Sequence, residues 1–184
     1  MAASACIQSI RPASRRTVTR RSARLLLAGI AALAFALDQA TKAIAVTALE
    51  GQPRIAVFGD LAGFVFLRNP GAAFGLGASS TWIFTAIAVA VFFAIVVAAR
   101  RLSSPLWALG LGLLQGGLLG NLFDRLFRPP GVFHGAVVDF IDLHFFVCNV
   151  ADIAITAAAV ILMLAALKGT PLDASQAQSQ ENHD

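Results

Sequence analysis

The sequence predicts an all-α membrane protein in which four transmembrane helices carry a small extracytoplasmic platform. Three observations lead there. The 184 residues are 58% hydrophobic and only 13% charged, where soluble domains average about half and a quarter. Apolar runs long enough to cross a bilayer core of about 30 Å recur along the chain. The charges that remain stand at the ends of those runs or beside them, and a carboxylate placed in hydrocarbon costs about 2.5 kcal/mol or more. In a soluble protein a net charge of +4 would suggest a nucleic-acid partner. Here the basic residues cluster beside the spans, where they report orientation, so no nucleic acid is expected.

Residues 1–24 hold six arginines with Ser and Thr and no acid, and read as a basic cytoplasmic extension that anchors the first span. Span one runs from Leu25 to about Ala48. Its outer half carries Asp38, Gln39, Thr41 and Lys42, with Asp38 and Lys42 four apart on one helical face, so an ion pair within the helix would lower the burial cost. That pair either fixes packing and depth or belongs to a site. From Glu50 to Ser80 the pattern changes to short apolar pieces punctuated by Gly and Pro. Arg54–Phe58 and Gly63–Leu67 read as strands, and Arg68 to Gly75 as a turn-rich loop. About thirty residues cannot bury a core of their own, so this platform should pack on the helices and the bilayer surface. Asn69, before Pro70-Gly71, is a turn residue or a two-sided amide able to hold an extended peptide.

Span two covers Thr81 to Ala99 and ends on Arg100-Arg101, on the inner side. Span three, Pro105 to about Phe123, carries Gly112, Gly116 and Gly120 at four-residue intervals, which lets neighbouring helices approach closely. Gly117, Asn121, Asp124 and Arg125 share a face at its outer end. Leu126–Phe146 is a second outer loop holding the extended Val137-Val138-Asp139 segment, and span four follows from about Val147 to Leu167. Asn149, Asp152 and Thr156 form a polar stripe on it. Gly169–Asp184 is a polar tail expected to be disordered. The membrane domain is therefore 25–168, with both termini cytoplasmic and the unusual polar residues near the outer face.

Of the hydrolytic chemistries, a zinc site is poorly served by His134 and His144, ten apart with no Glu between them. Ser79 and Ser80 have no accompanying base and suit helix caps. Cys6 and Cys148 fit neither a disulfide framework nor a metal spacing. Two carboxylates remain. If Asp139 and Asp152 meet in a partly dry site they cannot both ionise cheaply and will share a proton, one acting as base toward water and the other as acid toward a carbonyl. Alternatively Asp139 satisfies loop amides and Asp152 caps span four. Spacing alone leaves both readings open.

Five blocks stand in order: Asp38-Gln39-Ala40-Thr41-Lys42, Asn69-Pro70-Gly71-Ala72-Ala73-Phe74-Gly75, Gly116 to Arg125, Val137-Val138-Asp139-Phe140-Ile141, and Asn149-Val150-Ala151-Asp152. In these the chain, over roughly 38–155, resembles the lipoprotein signal peptidases (signal peptidase II), membrane aspartyl peptidases of bacteria. The resemblance implies four transmembrane helices with a small β-cradle and a surface helix on the outer side of the cytoplasmic (inner) membrane. It also implies that Asp139 and Asp152 are catalytic and activate water to cut a prolipoprotein just before its diacylglyceryl-modified cysteine. Asn69, Asn121, Arg125 and Asn149 match substrate-site positions, and Asp38, Lys42 and Asp124 match polar positions that support the site. Asp142 matches no catalytic position and should be dispensable. No metal or organic cofactor is implied. The implied partners are diacylglyceryl-bearing prolipoproteins and membrane lipids, the cyclic peptide globomycin is the implied inhibitor, and a monomer is expected. Two departures stand out: Cys148 replaces the usual aromatic before Asn149, and the outer-loop intervals around Asp139 differ from those of many relatives.

Two other readings compete. In a proton- or ion-coupled transport subunit Asp38, Lys42, Asp124, Asp139 and Asp152 would form a relay, but they gather at one face instead of crossing the bilayer. A non-catalytic lipoprotein-binding chaperone would keep the pocket, and the presence of both aspartates speaks against it.

Overall fold

A computed structural model describes residues 18–71 and 81–173. In chain order its elements are α1 (Arg20–Leu49), β1 (Ile55–Phe58), β2 (Ala62–Asn69), α2 (Thr81–Ala98) with a 3-10 turn at Ala99–Arg101, α3 (Pro105–Phe127), β3 (Val137–Asp142), β4 (Val147–Cys148) and α4 (Val150–Leu167). Among the described residues, four helical segments are long and apolar enough to cross a membrane. Their starts are written locally. The Thr19 side chain accepts from Ser22 N at α1, and Ser104 followed by Pro105 opens α3.

Helix α3 is the centre of the bundle, packed against α1 on one side and α4 on the other. Its small residues permit this. A Cβ on Gly112 would press on Leu27 O and Ile30, one on Gly116 would stand 2.6 Å from both Ala31 O and Ala34 Cβ, and one on Gly117 would stand 2.6 Å from Ala151 O. The glycine stripe therefore seats α1, and Gly117 seats α4. Helix α2 packs on α3 and is apolar all round, as suits a span facing lipid on most sides.

The strands form one antiparallel sheet in the order β1-β2-β3-β4. It sits at the end of the bundle where α1 and α3 finish and α4 starts. Val138 and Phe140 of β3 are buried against Ala45 and Leu49 of α1, so the sheet borrows its core from a helix as its size demands. Because side chains alternate along a strand, Val137, Asp139 and Ile141 face the other way. Their cross-strand partners, Asn69 and Leu67 on β2 and Cys148 on β4, share that face.

Several sequence boundaries move. Helix α3 continues to Phe127, so Asp124 and Arg125 lie within it. Strand β2 includes Arg68 and Asn69, which the sequence placed in a loop. Val147 and Cys148 pair with β3, and Asn149 is the cap of α4 instead of a residue within it. Among the described residues no surface helix joins the sheet. Residues 72–80, with Ser79 and Ser80, lie outside them, as does Cys6.

At the opposite end of the bundle the basic segment is already helical from Arg20, and the tail is packed as far as Asp173. Ser103 donates its N–H to Leu172 O at 3.0 Å, and Val18 donates its N–H to Ser103 O at 3.0 Å. Trp107 Nε1 donates to Thr170 O at 2.8 Å, and Arg20 pairs with the buried Asp173 at 2.9 Å. Residues 170–173 are thus not the disordered tail that their polarity suggested, because α3 and the α2–α3 turn provide the missing hydrogen-bond partners. Residues 174–184 lie outside the described chain.

Candidate active site

Two local structures bring the paired carboxylates together. Asp139 lies in the middle of β3 opposite Leu67. Asp152 is the third residue of α4 and closes a capping box: Asn149 Oδ1 accepts from Asp152 N at 3.0 Å, and Asp152 Oδ2 accepts from Asn149 N at 3.1 Å. Since β4 has only two residues, the cap of α4 arrives directly beside β3. The Asn149 side chain then reaches across, donating from Nδ2 to Asp139 Oδ1 at 2.6 Å. One fully buried asparagine therefore holds both carboxylates.

Each carboxylate has a second amide. Asn69 Nδ2 donates to Asp139 Oδ2 at 2.8 Å, and Asn69 Oδ1 in turn accepts from Gly71 N at 2.9 Å, where Gly71 takes a left-handed φ of 99°. Asn121 Nδ2 of α3 donates to Asp152 Oδ1 at 2.9 Å. Asp139 is 2% exposed, and its carboxyl is pushed up to about 6. Burial is the main cause and the nearby charge of Asp152 adds to it, while the hydrogen bonds from Asn69 and Asn149 and the charge of Lys42 pull the other way. A group so placed exchanges its proton near neutral pH.

Behind the amides lies a buried ionic cluster. Lys42, fully buried, pairs with Asp38 at 2.9 Å and with Asp124 at 2.7 Å. Asp38 also accepts from Ala151 N at 2.9 Å, which ties α1 to the first turn of α4. Asp124 accepts from the Arg128 guanidinium and from Val138 N, which ties α3 to β3. The ion pair expected between Asp38 and Lys42 exists, and its third member comes from another helix.

A cleft of about 390 Å³ opens over the pair, lined by Asn69, Arg125, Asp139 and Asp152 on its polar side and by Phe84, Phe146, Val147 and Cys148 on its apolar side. Arg125 donates to Asn121 O at 3.2 Å, while its buried Nε has no partner. Burial, with the charges of Asp152 and Asp139 beside it, raises the Cys148 thiol to about 11, so it lines the wall as a neutral group. Asp142 stands apart at the far end of β3. There Arg54 pairs with it and holds its carboxyl below the ordinary range. His134 and His144 bond the backbone oxygens of Val132 and Asp60, and no group of three metal-ligating side chains occurs among the described residues.

All nine residues singled out in the sequence thus collect at one end of the bundle. The reading from sequence missed Arg128, although it stands four residues after Asp124, the spacing that pairs charges on a helix. It also missed Gln39 as a bridge: Gln39 Nε2 donates to Asp38 at 3.0 Å and to Gly120 O at 3.2 Å. Nothing in the local sequence marks Phe84 or Phe146 as cleft walls.

The profile of a family described as Signal peptidase (SPase) II matches residues 30–168. The lipoprotein signal peptidase of Streptomyces griseus subsp. griseus is 49% identical over 150 residues, covering 81% of this chain and 76% of the relative. That of Streptomyces coelicolor is 47% identical over 162 residues, covering 88% and 79%. Among solved structures, a bacterial membrane enzyme determined by the in meso method at 1.9 Å superposes with a TM-score of 0.68 at 27% identity, over 85% of this chain and 99% of the other.

Proposed function

The chain belongs to the signal peptidase II family, and from that premise we propose that it cleaves prolipoproteins just before the diacylglyceryl-modified cysteine, using Asp139 and Asp152 as a dyad. The observation that carries the reading is Asn149, whose backbone N–H and side-chain amide hold one carboxylate each. In this reading the two carboxylates hold one proton between them when substrate is bound. The ionised member takes a proton from water as the water oxygen attacks the scissile carbonyl carbon. The protonated member gives its proton to the carbonyl oxygen. When the tetrahedral intermediate collapses, the C–N bond breaks, the leaving amine takes up the proton first abstracted, and one hydroxyl of the gem-diol returns its proton to the other carboxylate as the product carbonyl re-forms, so the dyad returns to its singly protonated state.

Of the four residues expected to bind substrate, Asn69 and Arg125 line the cleft and bind the extended peptide, while Asn121 and Asn149 stand behind the aspartates and act by orienting the carboxylates. The acyl chains of the modified cysteine stay in the bilayer, which brings the scissile bond to the interface and does much of the positioning. In this reading the sheet faces outward from the cytoplasmic membrane, both termini are inside, Asp38, Lys42 and Asp124 support the site, and globomycin occupies the cleft. The relay of a transport subunit has no support, since the buried charges close on one another at one end of the bundle.

The test follows the size of a diacylglyceryl-modified prolipoprotein incubated with the purified protein in detergent or liposomes, beside an unlipidated control. Wild type should cut only the lipidated substrate, and Asp139→Asn and Asp152→Asn should be folded and inactive. Binding without cleavage by wild type would move the chaperone reading to the front.

A further inference from the structure

The ammonium of Lys42 has three hydrogens and no lone pair. Each hydrogen has a partner: Asp38 Oδ2, Asp124 Oδ2 and, at 2.9 Å, Asn121 Oδ1. An ammonium accepts nothing, so the atom of Asn121 that faces it must be the oxygen. The other group at that oxygen, Asn149 Nδ2 at 3.2 Å, is a donor too. Asn121 Nδ2 is therefore turned the opposite way, onto Asp152 Oδ1.

We propose that Lys42 is a positioning residue: it fixes the direction of the Asn121 amide and thereby the donor that Asp152 receives. This rests on the peptidase reading and takes it one residue deeper. The ammonium also polarises the amide, since drawing electron density toward Oδ1 makes the opposite N–H a better donor. Without it, Oδ1 keeps only the longer contact from Asn149, and the side chain is free to turn off Asp152. Lys42 is itself fixed, because Ala151 N, Arg128 and Val138 N hold the carboxylates that flank it. The cluster therefore couples α1, which carries Lys42, to a carboxylate on α4 through one side chain of α3.

The experiment is a double-mutant cycle on cleavage of the lipidated prolipoprotein, with wild type, Lys42→Met, Asn121→Ala and the double variant. Lys42→Met should lower kcat about ten- to a hundredfold, the range for one hydrogen bond to a charged group, with KM little changed. The double variant should be no slower than Asn121→Ala alone, because Lys42 acts through Asn121. Losses that multiply in the double variant, or a folded Lys42→Met with wild-type kcat, overturn the proposal. Lys42→Met also strips the counterion from two buried carboxylates. Asn121→Asp therefore provides a second route, since it leaves Lys42 an acceptor but turns an oxygen toward Asp152. It leaves the Lys42 counterion in place and should lose kcat by at least a similar factor, and a folded Asn121→Asp variant with wild-type kcat refutes the idea. A wild type that leaves the substrate intact overturns the peptidase reading with it, whereas an active wild type with a multiplicative cycle overturns only the role of Lys42.

Discussion

Replacing Asp139 with asparagine measures the electrostatics of the cleft without requiring turnover. The Asp139 carboxyl titrates at about 6 in the folded protein against an ordinary 3.8, chiefly because it is buried. Below about pH 4 it is protonated whether the chain is folded or not, and it contributes nothing to pH dependence. As the pH rises from about 4 to 6, the unfolded chain releases this proton while the folded protein keeps it, so folding stability falls. Above about pH 6 both states are ionised and the penalty is constant. Roughly two pH units at 1.36 kcal/mol each make that penalty about 3 kcal/mol. Asparagine does not titrate. Relative to wild type, Asp139→Asn should therefore gain about 3 kcal/mol between pH 4 and pH 8. The new amide also turns one N–H group toward Asn69 or Asn149, at a cost of about 1–3 kcal/mol, but that offset does not vary with pH. Unfolding of the two proteins in the same detergent across this range gives the difference directly. A difference that stays flat would refute the burial argument, and one that swings against the variant would mean that the cleft favours the carboxylate form.

Two further outcomes test the frame around the site. Asp142→Asn loses a solvent-screened ion pair with Arg54, away from the cleft, so cleavage of the lipidated substrate should stay near wild type; a loss as deep as that of Asp139→Asn would put Asp142 in the chemistry. Gly116→Ala would force a methyl to 2.6 Å from Ala31 O and Ala34 Cβ, and overpacking of this kind costs about 1–3 kcal/mol. Thermal unfolding in detergent should show that loss, and an unchanged midpoint would mean that α1 and α3 are not held by the glycine stripe.

The spans were legible because lipid imposes a length and an apolar composition that a sequence displays directly. Asp139 and Asp152 were legible for the same reason, as charges in places where charge is expensive. What stayed hidden depends on partners remote in sequence. The periodicity of α1 shows that Asp38 and Lys42 share a face, but the third member, Asp124, comes from α3, and only tertiary packing brings it there. The start of α4 misled because Val147 and Cys148 are as apolar as the span they precede. Pairing with Ile141 and Asp142 makes them a strand and leaves Asn149 to begin the helix. The tail to Asp173 reads as polar and loose, yet its backbone is bound by Ser103 and Trp107, residues about seventy positions earlier.

Asn149 has a consequence for how the protein comes into being. It caps α4, the last of the described helices, and it also bridges the two carboxylates. A nascent chain with three helices in the membrane already carries Asp139, Asn69 and the Lys42 cluster, but it has neither the second carboxylate nor the bridge. The proposed dyad is therefore complete only once the first turn of α4 is docked on β3. A one-residue shift in the register of α4 would turn the Asp152 position by about 100° around the helix axis and carry it away from Asn121. The proposed site thus depends on the register of α4 as well as on its presence.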